Sequence, residues 1–256
     1  MLHSNDYRRP LMLSLAIASA SLCSTAWAQW EGTLGAGAIY TPDYLGSDDY
    51  EWNPLPVVEA TYNDTLFVSV RDGIGWNVIN QDNVKVAPFI GYTFGRDDSG
   101  DLSRFDEVDG GATAGLRISY RDAGWRYTGS AETPFTGDID GYRLAFKAQH
   151  VTRLGERMVM TLGPEVAYTS DKWTDAMFGV SPGDSVRSGL AAYEPDDGAF
   201  ALGANASLSY YLTEQWSVTG LLGVAKLTGD ASDSPIVDDA GSDVQWRTGA
   251  FINYHF

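Results

Sequence analysis

Cysteine is nearly missing from this sequence: of 256 residues only Cys23 is one. It falls in the segment read below as a leader, so the rest of the chain is expected to hold no disulfide, no thiol nucleophile and no cysteine-based metal site. Long apolar runs are missing as well. No stretch of about 20 apolar residues exists, which excludes a transmembrane helix. Basic residues are few, 17 Lys and Arg against 34 Asp and Glu. Without Arg8, Arg9 and Asp6 the balance is 15 to 33, a formal charge of −18. A non-specific nucleic-acid binder needs a basic footprint, so no nucleic-acid partner is expected. What the chain does have is glycine (28 residues) and aromatics (12%), a mixture that favours β-structure over a helical bundle.

Residues 1–28 have the build of a secretory signal peptide. Arg8 and Arg9 make a positive start, residues 11–22 form an apolar run too short to span a bilayer, and Ala26-Trp27-Ala28 is a small-x-small cleavage site. The mature chain would begin at Gln29, leaving 228 residues, enough for one domain. Export from a Gram-negative cell follows.

Beyond residue 84 the hydropathy period is two. In residues 111–120, Ala112, Ala114, Leu116, Ile118 and Tyr120 share one face, with Thr113, Arg117 and Ser119 on the other. Residues 84–94, 125–132, 142–149, 158–168, 200–210, 216–226 and 246–256 alternate in the same way. Charge follows the alternation. Lys85, Arg117, Arg126, Glu132, Arg143, Lys147, Glu165 and Arg247 all fall on the polar faces, and only Lys226, at a strand end, falls on an apolar one. A Lys or Arg facing lipid at mid-bilayer costs about 2–4 kcal/mol, so a membrane barrel must sort its charges in this manner. A soluble sandwich also alternates.

Three features separate the two. Connections alternate long (41–54, 95–110, 169–197, 228–244) and short (Asn63-Asp64, 81–83, 121–124, 152–157, 213–215) if residues 66–71 and 74–79 are separate strands turned at Asp72-Gly73, read as a type I′ turn. The expectation is a closed, antiparallel, all-β transmembrane barrel of twelve strands over residues 29–256, or ten if those two short strands do not form. Its turns would be short on the periplasmic side and its loops long and acidic outside. Second, aromatics flank the tight turns: Tyr62 and Phe67, Tyr120 and Trp125, and Tyr210, Tyr211 and Trp216, as an interfacial girdle requires. Third, the chain ends on an alternating strand, with Trp246, Ile252, Tyr254 and Phe256 in phase, a pattern resembling the C-terminal signal read by the outer-membrane assembly machinery. Pro88 and Pro164 each remove a ladder donor, so a bulge or strand end is expected at both.

Several motifs together resemble the MipA/OmpV family of outer-membrane proteins. The first is GAGAIYTPDYLGSDDY at 35–50, with Tyr40, Pro42, Asp43, Tyr44, Gly46 and Ser47 at its centre. The second is MFGVSPGDSVRSGLAAYEPDDG at 177–198. The third, LTEQWSVTGLLGVAKLTGDASDSPIV at 212–237, contains Asp230, Asp233, Ser234 and Pro235. The resemblance implies an outer-membrane barrel acting as an MltA-interacting scaffold between a murein hydrolase and a peptidoglycan synthase. It supplies no catalytic residues.

No catalytic, cofactor or metal site is expected from the residues themselves. His150 and His255 are the histidines left outside the leader, and neither sits in a recognisable Ser–His–acid motif. Asp97, Asp98, Asp101, Asp106, Glu107 and Asp109 cluster in one loop, and Asp230, Asp233, Asp238, Asp239 and Asp243 in another. Hard cations favour such clusters, but Leu102 stands where an EF-hand loop needs glycine. The loops are read as solvated, with cation bridges to lipopolysaccharide as an intermediate option. On the polar faces six cations meet two carboxylates, a surplus of four inside an acidic protein. Water-filled, such a lumen would pass small anions. Plugged, Glu132 and Glu165 would pair with neighbouring arginines, which the narrowness of twelve strands favours.

Overall fold

The structure, a computed structural model, describes residues 30–98 and 100–256; the leader assigned to residues 1–28 lies outside them. The strands are β1 (Trp30–Pro42), β2 (Tyr50–Tyr62), β3 (Leu66–Ser69), β4 (Gly73–Trp76), β5 (Ile79–Asn80), β6 (Val84–Thr93), β7 (Gly111–Asp122), β8 (Trp125–Pro134), β9 (Arg143–Leu154), β10 (Met158–Thr169), β11 (Ala199–Tyr211), β12 (Trp216–Gly229) and β13 (Val244–His255). Three helices, α1 (Asp171–Phe178), α2 (Pro182–Ser188) and α3 (Pro235–Asp238), lie in the long loops.

Each strand pairs antiparallel with its sequence neighbour, and the two ends of the chain pair with each other, Thr33 opposite His255 through Tyr40 opposite Thr248. Phe256 extends this seam by exchanging both backbone bonds with Gly32, at 3.1 Å each. The ring closes where β4 meets β6, Ile74 opposite Ile90 and Gly75 opposite Phe89. Segments β4 and β5 are two pieces of one strand broken at Asn77 and Val78, so the barrel counts 12 strands. Closure satisfies the backbone without water, which the hydrocarbon layer demands.

Sequence patterning explains which side faces lipid. Arg247 on β13 bonds Glu165 on β10 and Asn205 on β11. Side chains three strands apart meet only across the interior, which fixes the polar faces inward. The opposite faces present Leu34, Trp52, Ile90, Leu116, Phe146, Leu162, Leu202, Leu222, Trp246 and Ile252, all exposed as lipid-facing residues must be. Lys226, the exception in the alternation, sits at the outer end of β12 and pairs with Asp243 at 2.8 Å. Inside, the Phe251 ring lies against Gly37, where a Cβ would meet it at 2.5 Å.

Aromatics form two belts. At the short-turn end Trp30 packs on Tyr62, Trp125 on Tyr127 and Trp216 on Tyr254. At the long-loop end Tyr40 stacks on Tyr50 and packs against Trp52, Tyr92 meets Phe94 edge-on, and Tyr168 packs against Phe200. Two residues expected in the first belt belong inside: Phe67 lies 4.0 Å beneath the Arg117 guanidinium, and Tyr211 stacks on His255. Their phase within the strand, not their nearness to a turn, decides the face.

The turns also correct the sequence reading. Two consecutive residues with positive φ occur at Asn63-Asp64 (48° and 54°) and at Ala123-Gly124 (46° and 86°). The β3–β4 link is residues 70–72, with only Gly73 in the left-handed region (φ 76°), so it is not type I′. The connection after β1 shrinks to 43–49, and residues 135–142 form a further loop on the same side. Neither Pro88 nor Pro164 makes a bulge or a strand end. The register on either side of Pro164 is unchanged, but the pairing toward β9 lapses at Gly163 and Pro164. Pro88 turns its missing donor toward the break between β4 and β5.

Candidate functional site: the lumen and its cap

The eight charged residues expected inside are held by β6, β7, β8, β9, β10 and β13. Glu132 accepts from Arg143 and from Thr113 Oγ1, both at 3.1 Å. Glu165 bridges Arg247 and Lys147, the latter at 4.0 Å. Lys85 pairs with Asp64. Arg117 reaches Asp72 at 3.4 Å. Arg126 makes no ion pair or hydrogen bond among the described residues.

Four partners were missed from sequence: Glu59, Asp64, Arg71 and Asp72. Asp64, Arg71 and Asp72 lie in the turns of the short second hairpin, where alternation is too brief to read, and Glu59 lies beside it on β2. Arg71 bonds Glu59 at 3.0 Å and lies 3.5 Å from Asp72. It also lies within electrostatic reach of Glu165 on the far wall, so the 70–72 turn projects into the lumen. Counting these four groups reduces the positive surplus from four to two. The Arg71 side chain remains 70% exposed, so the middle of the barrel is open space rather than packed side chains.

The long loops are not simply solvated acidic segments. They fold into a cap with its own apolar core of Tyr44, Leu102, Phe105, Ile139, Trp173, Met177, Phe178, Val180, Ile236 and Val237. That core runs on into Ala199 and Leu227, which point inward at the tops of β11 and β12. The cap therefore sits over the mouth of the lumen. Most carboxylates of the 97–109 and 230–243 clusters are exposed on it, and among the described residues no three of them group as a metal site. Strand periodicity could not reveal this core, because its members come in ones and twos from five loops and from the short helices α1 and α3.

The motif residues build the cap. Tyr40 and Pro42 finish β1. The Tyr44 hydroxyl donates to the carbonyls of Ile236 (3.3 Å) and Ala240 (3.1 Å); burial and the nearby Asp101 push its pKa up to about 12. Gly46, at φ 107°, donates to Gln245 Oε1 at 3.1 Å and accepts from the Ser242 amide at 2.7 Å. Ser47 is buried, and its carbonyl accepts from Gln245 at 3.2 Å. Ser234 donates to the Phe178 carbonyl at 2.6 Å, ahead of Pro235 at the start of α3. Asp230 accepts from the Asp197 amide at 2.7 Å, and Asp233 accepts from Ser232 at 3.3 Å. Burial, followed by Glu51, Asp49, Asp97 and Asp101, raises the Asp43 carboxyl above its ordinary value.

Arg96 is the central strut. Its guanidinium is buried, donates to the Met177 and Gly179 carbonyls at 3.0 and 3.2 Å, and lies over Phe105. Beside it Asp184 joins two loops, accepting from Ser181, from the Asp106 amide and from Arg187. Burial pushes the Asp184 carboxyl up, but these bonds outweigh it and hold the group below its ordinary value. Burial and Glu194 push Asp175 the other way. A cleft of about 580 Å³ opens outward between these groups.

Both candidate histidines are engaged without a carboxylate. His150 bonds Thr152 at 2.8 Å and packs on Trp125. His255 bridges Thr33 at 3.0 Å and Ser217 at 2.9 Å, tying β1, β13 and β12 together.

Comparison with known proteins places this geometry. The family model described as MltA-interacting protein MipA matches residues 34–256. The MltA-interacting protein of Escherichia coli is 28% identical over 236 residues, covering 89% of this chain and 92% of that protein. Outer membrane protein Omp26La of Vibrio anguillarum is 26% identical over 241 residues, covering 89% and 87%. Among solved structures, the COG4313 outer membrane channel from Pseudomonas putida F1 aligns with a TM-score of 0.47 at 13% identity, covering 89% of this chain and 96% of that one.

Proposed function

The chain belongs to the MipA family of outer-membrane β-barrel proteins, and on that premise we propose that it is a non-enzymatic scaffold that holds a murein hydrolase, and with it a peptidoglycan synthase, at the inner face of the outer membrane. The observation that carries this reading is the family match over nearly the whole barrel, together with a relative named for its interaction with MltA. The five short turns and the start of β1 are the surface such partners would meet. A standard interface takes about 800 Å² from each partner, so several turns must act together. Lipid and lipopolysaccharide surround the wall, and Trp246, Ile252, Tyr254 and Phe256, in phase on the last strand, serve the assembly machinery as its recognition signal.

The test is co-purification in mild detergent with a lytic transglycosylase and a bifunctional synthase of the same envelope. Capture should be lost when residues 81–83 and 155–157 are both replaced by Gly-Ser linkers, and kept when the cap loop 170–198 is shortened. No capture by a correctly folded barrel rejects the scaffold.

Arg126, unpaired in an open lumen, favours a second reading as a narrow path for small anions. Planar-bilayer recordings decide it: an anion-selective current that falls on Arg126→Glu supports the path, and silence from a folded barrel removes it.

A further inference from the structure

The barrel wall is incomplete on one side. Strand β3 pairs with β2 only over Glu59–Tyr62, and β4 reaches β6 only at Ile90 and Phe89. Above the 70–72 turn, the facing edges of β2 (residues 50–57) and β6 (91–93) have no strand partner among the described residues. Residues 53–57 of that edge lie below the belt of Tyr50, Trp52 and Tyr92 and rise about 12 Å along the membrane normal at a tilt of ~45°. The two strands that stop short leave about 10 Å of wall unbuilt.

An open edge in hydrocarbon should be costly, several kcal/mol for each orphaned backbone group. The sequence of β2 lowers that cost. The last bond on this edge runs from the Val70 amide to the Val58 carbonyl. Strand alternation then turns the backbone groups of residues 50, 52, 54, 56 and 58 toward the gap. Residues 54 and 56 are prolines. Their missing donors fall on the open edge, while the pairing with β1 continues unbroken past them. Prolines on an edge also deny a visiting strand the main-chain bonds that strand addition depends on. The edge is thus built to stay open to something other than a polypeptide.

The surroundings indicate what. On the lipid side Trp52, Ile74, Ile90 and Tyr92 rim the gap, each more than half exposed. Behind its lower end lie Arg71 and Arg117 with Glu59 and Asp72, and deeper, toward the short-turn end, lies Arg126 opposite Arg121. Arg71, Arg117 and Arg126 against the two carboxylates leave one cation in excess. We propose that the gap is a side entrance from the membrane into the lumen for an anionic single-chain amphiphile, with its carboxylate or phosphate head meeting the three guanidinium groups and its tail lying between β2 and β6. An opening this narrow, apolar outside and cationic inside, selects one tail with one charged head. The site requires no murein enzyme and stands apart from the scaffold reading.

The barrel of residues 29–256 carries no cysteine, so introduced thiols are unique. Palmitate carrying a diazirine near its carboxyl end is photo-crosslinked to the purified barrel, with the matching palmityl alcohol as the neutral probe. Palmitate should label inward-facing residues of β6 and β7 near Arg117. Joining Trp52→Cys to Tyr92→Cys with a bis-maleimide should cut that labelling at least tenfold. Formation of the bridge, together with heat-modifiable gel mobility, confirms that the barrel is folded. The pair Arg71→Gln and Arg126→Gln should lower palmitate labelling several-fold and leave the alcohol unchanged. Absence of lumen labelling in the unbridged barrel, or lumen labelling that survives the bridge, overturns the side entrance. Equal lumen labelling by palmitate and alcohol overturns the anionic head group.

Discussion

Leu102 stands in the middle of an acidic loop and is fully buried, with no exposed surface. It packs in the cap, not in the wall, so Leu102→Ala should loosen one without weakening the other. Truncation removes three carbons, worth about 2.4 kcal/mol at ~0.8 kcal/mol each. The cavity left behind brings the usual total to about 2–5 kcal/mol; a value near 3 is expected, because the loops can partly collapse. At about 1.4 kcal/mol per decade this raises the open population of the cap roughly a hundredfold. Amide hydrogen exchange reads it directly. The Arg96 and Val108 amides, which exchange bonds with each other at 3.0 and 2.9 Å, and the Val180 and Tyr193 amides, bonded across at 2.8 and 3.0 Å, should exchange about a hundredfold faster. Amides in the β10–β11 and β11–β12 ladders should not change. Uniform acceleration through the barrel would show that cap and wall are one cooperative unit. Unchanged cap amides would show that Leu102 is not an anchor.

Three further outcomes follow from the same contacts. Tyr44→Phe removes the bonds to Ile236 and Ala240 and should cost about 1–2 kcal/mol, seen as faster exchange of the Ser242 amide with the barrel unaffected. Glu165→Gln leaves Arg247 and Lys147 facing each other without their shared carboxylate. Because both cations keep access to water, the loss of unfolding free energy should be about 1–2 kcal/mol, read by tryptophan fluorescence in urea with detergent present. Acid should free the 94–110 loop from α2. The Asp184 carboxyl is held below its ordinary 3.8, so its contribution is complete above that value and is lost as the pH falls further and the group protonates. The raised Asp175 works in the opposite sense: its charge opposes the folded cap near neutrality, and protonation relieves it. Protease nicking of residues 103–109 should therefore rise below about pH 3.8 in the native chain, and should be high and free of that step in Asp184→Asn; a native profile without the step would remove Asp184 as a clasp.

The barrel was legible because its defining pattern repeats. A period of two over ten or more residues fixes both the strand and the shared polar face on which Arg117, Arg143, Glu165 and Arg247 fall. The cap was not legible, because Leu102, Phe105 and Ile139 are single apolar residues in loops rich in aspartate, and burial among distant loops leaves no periodic trace. The lumen charge was overestimated for a related reason: Arg71 and Asp72 sit in the turn of a hairpin of four-residue strands, too short for alternation to register, and Glu59 lies beside it on β2. One signal for the wall gap was nevertheless present. Pro54 and Pro56 stand two apart in a strand, so both missing donors must fall on the same edge. A strand with two such prolines can be fully paired on one side only. Read that way, β2 announces that its far neighbour stops short, and the incomplete wall becomes a consequence of the sequence rather than an accident of the closing seam.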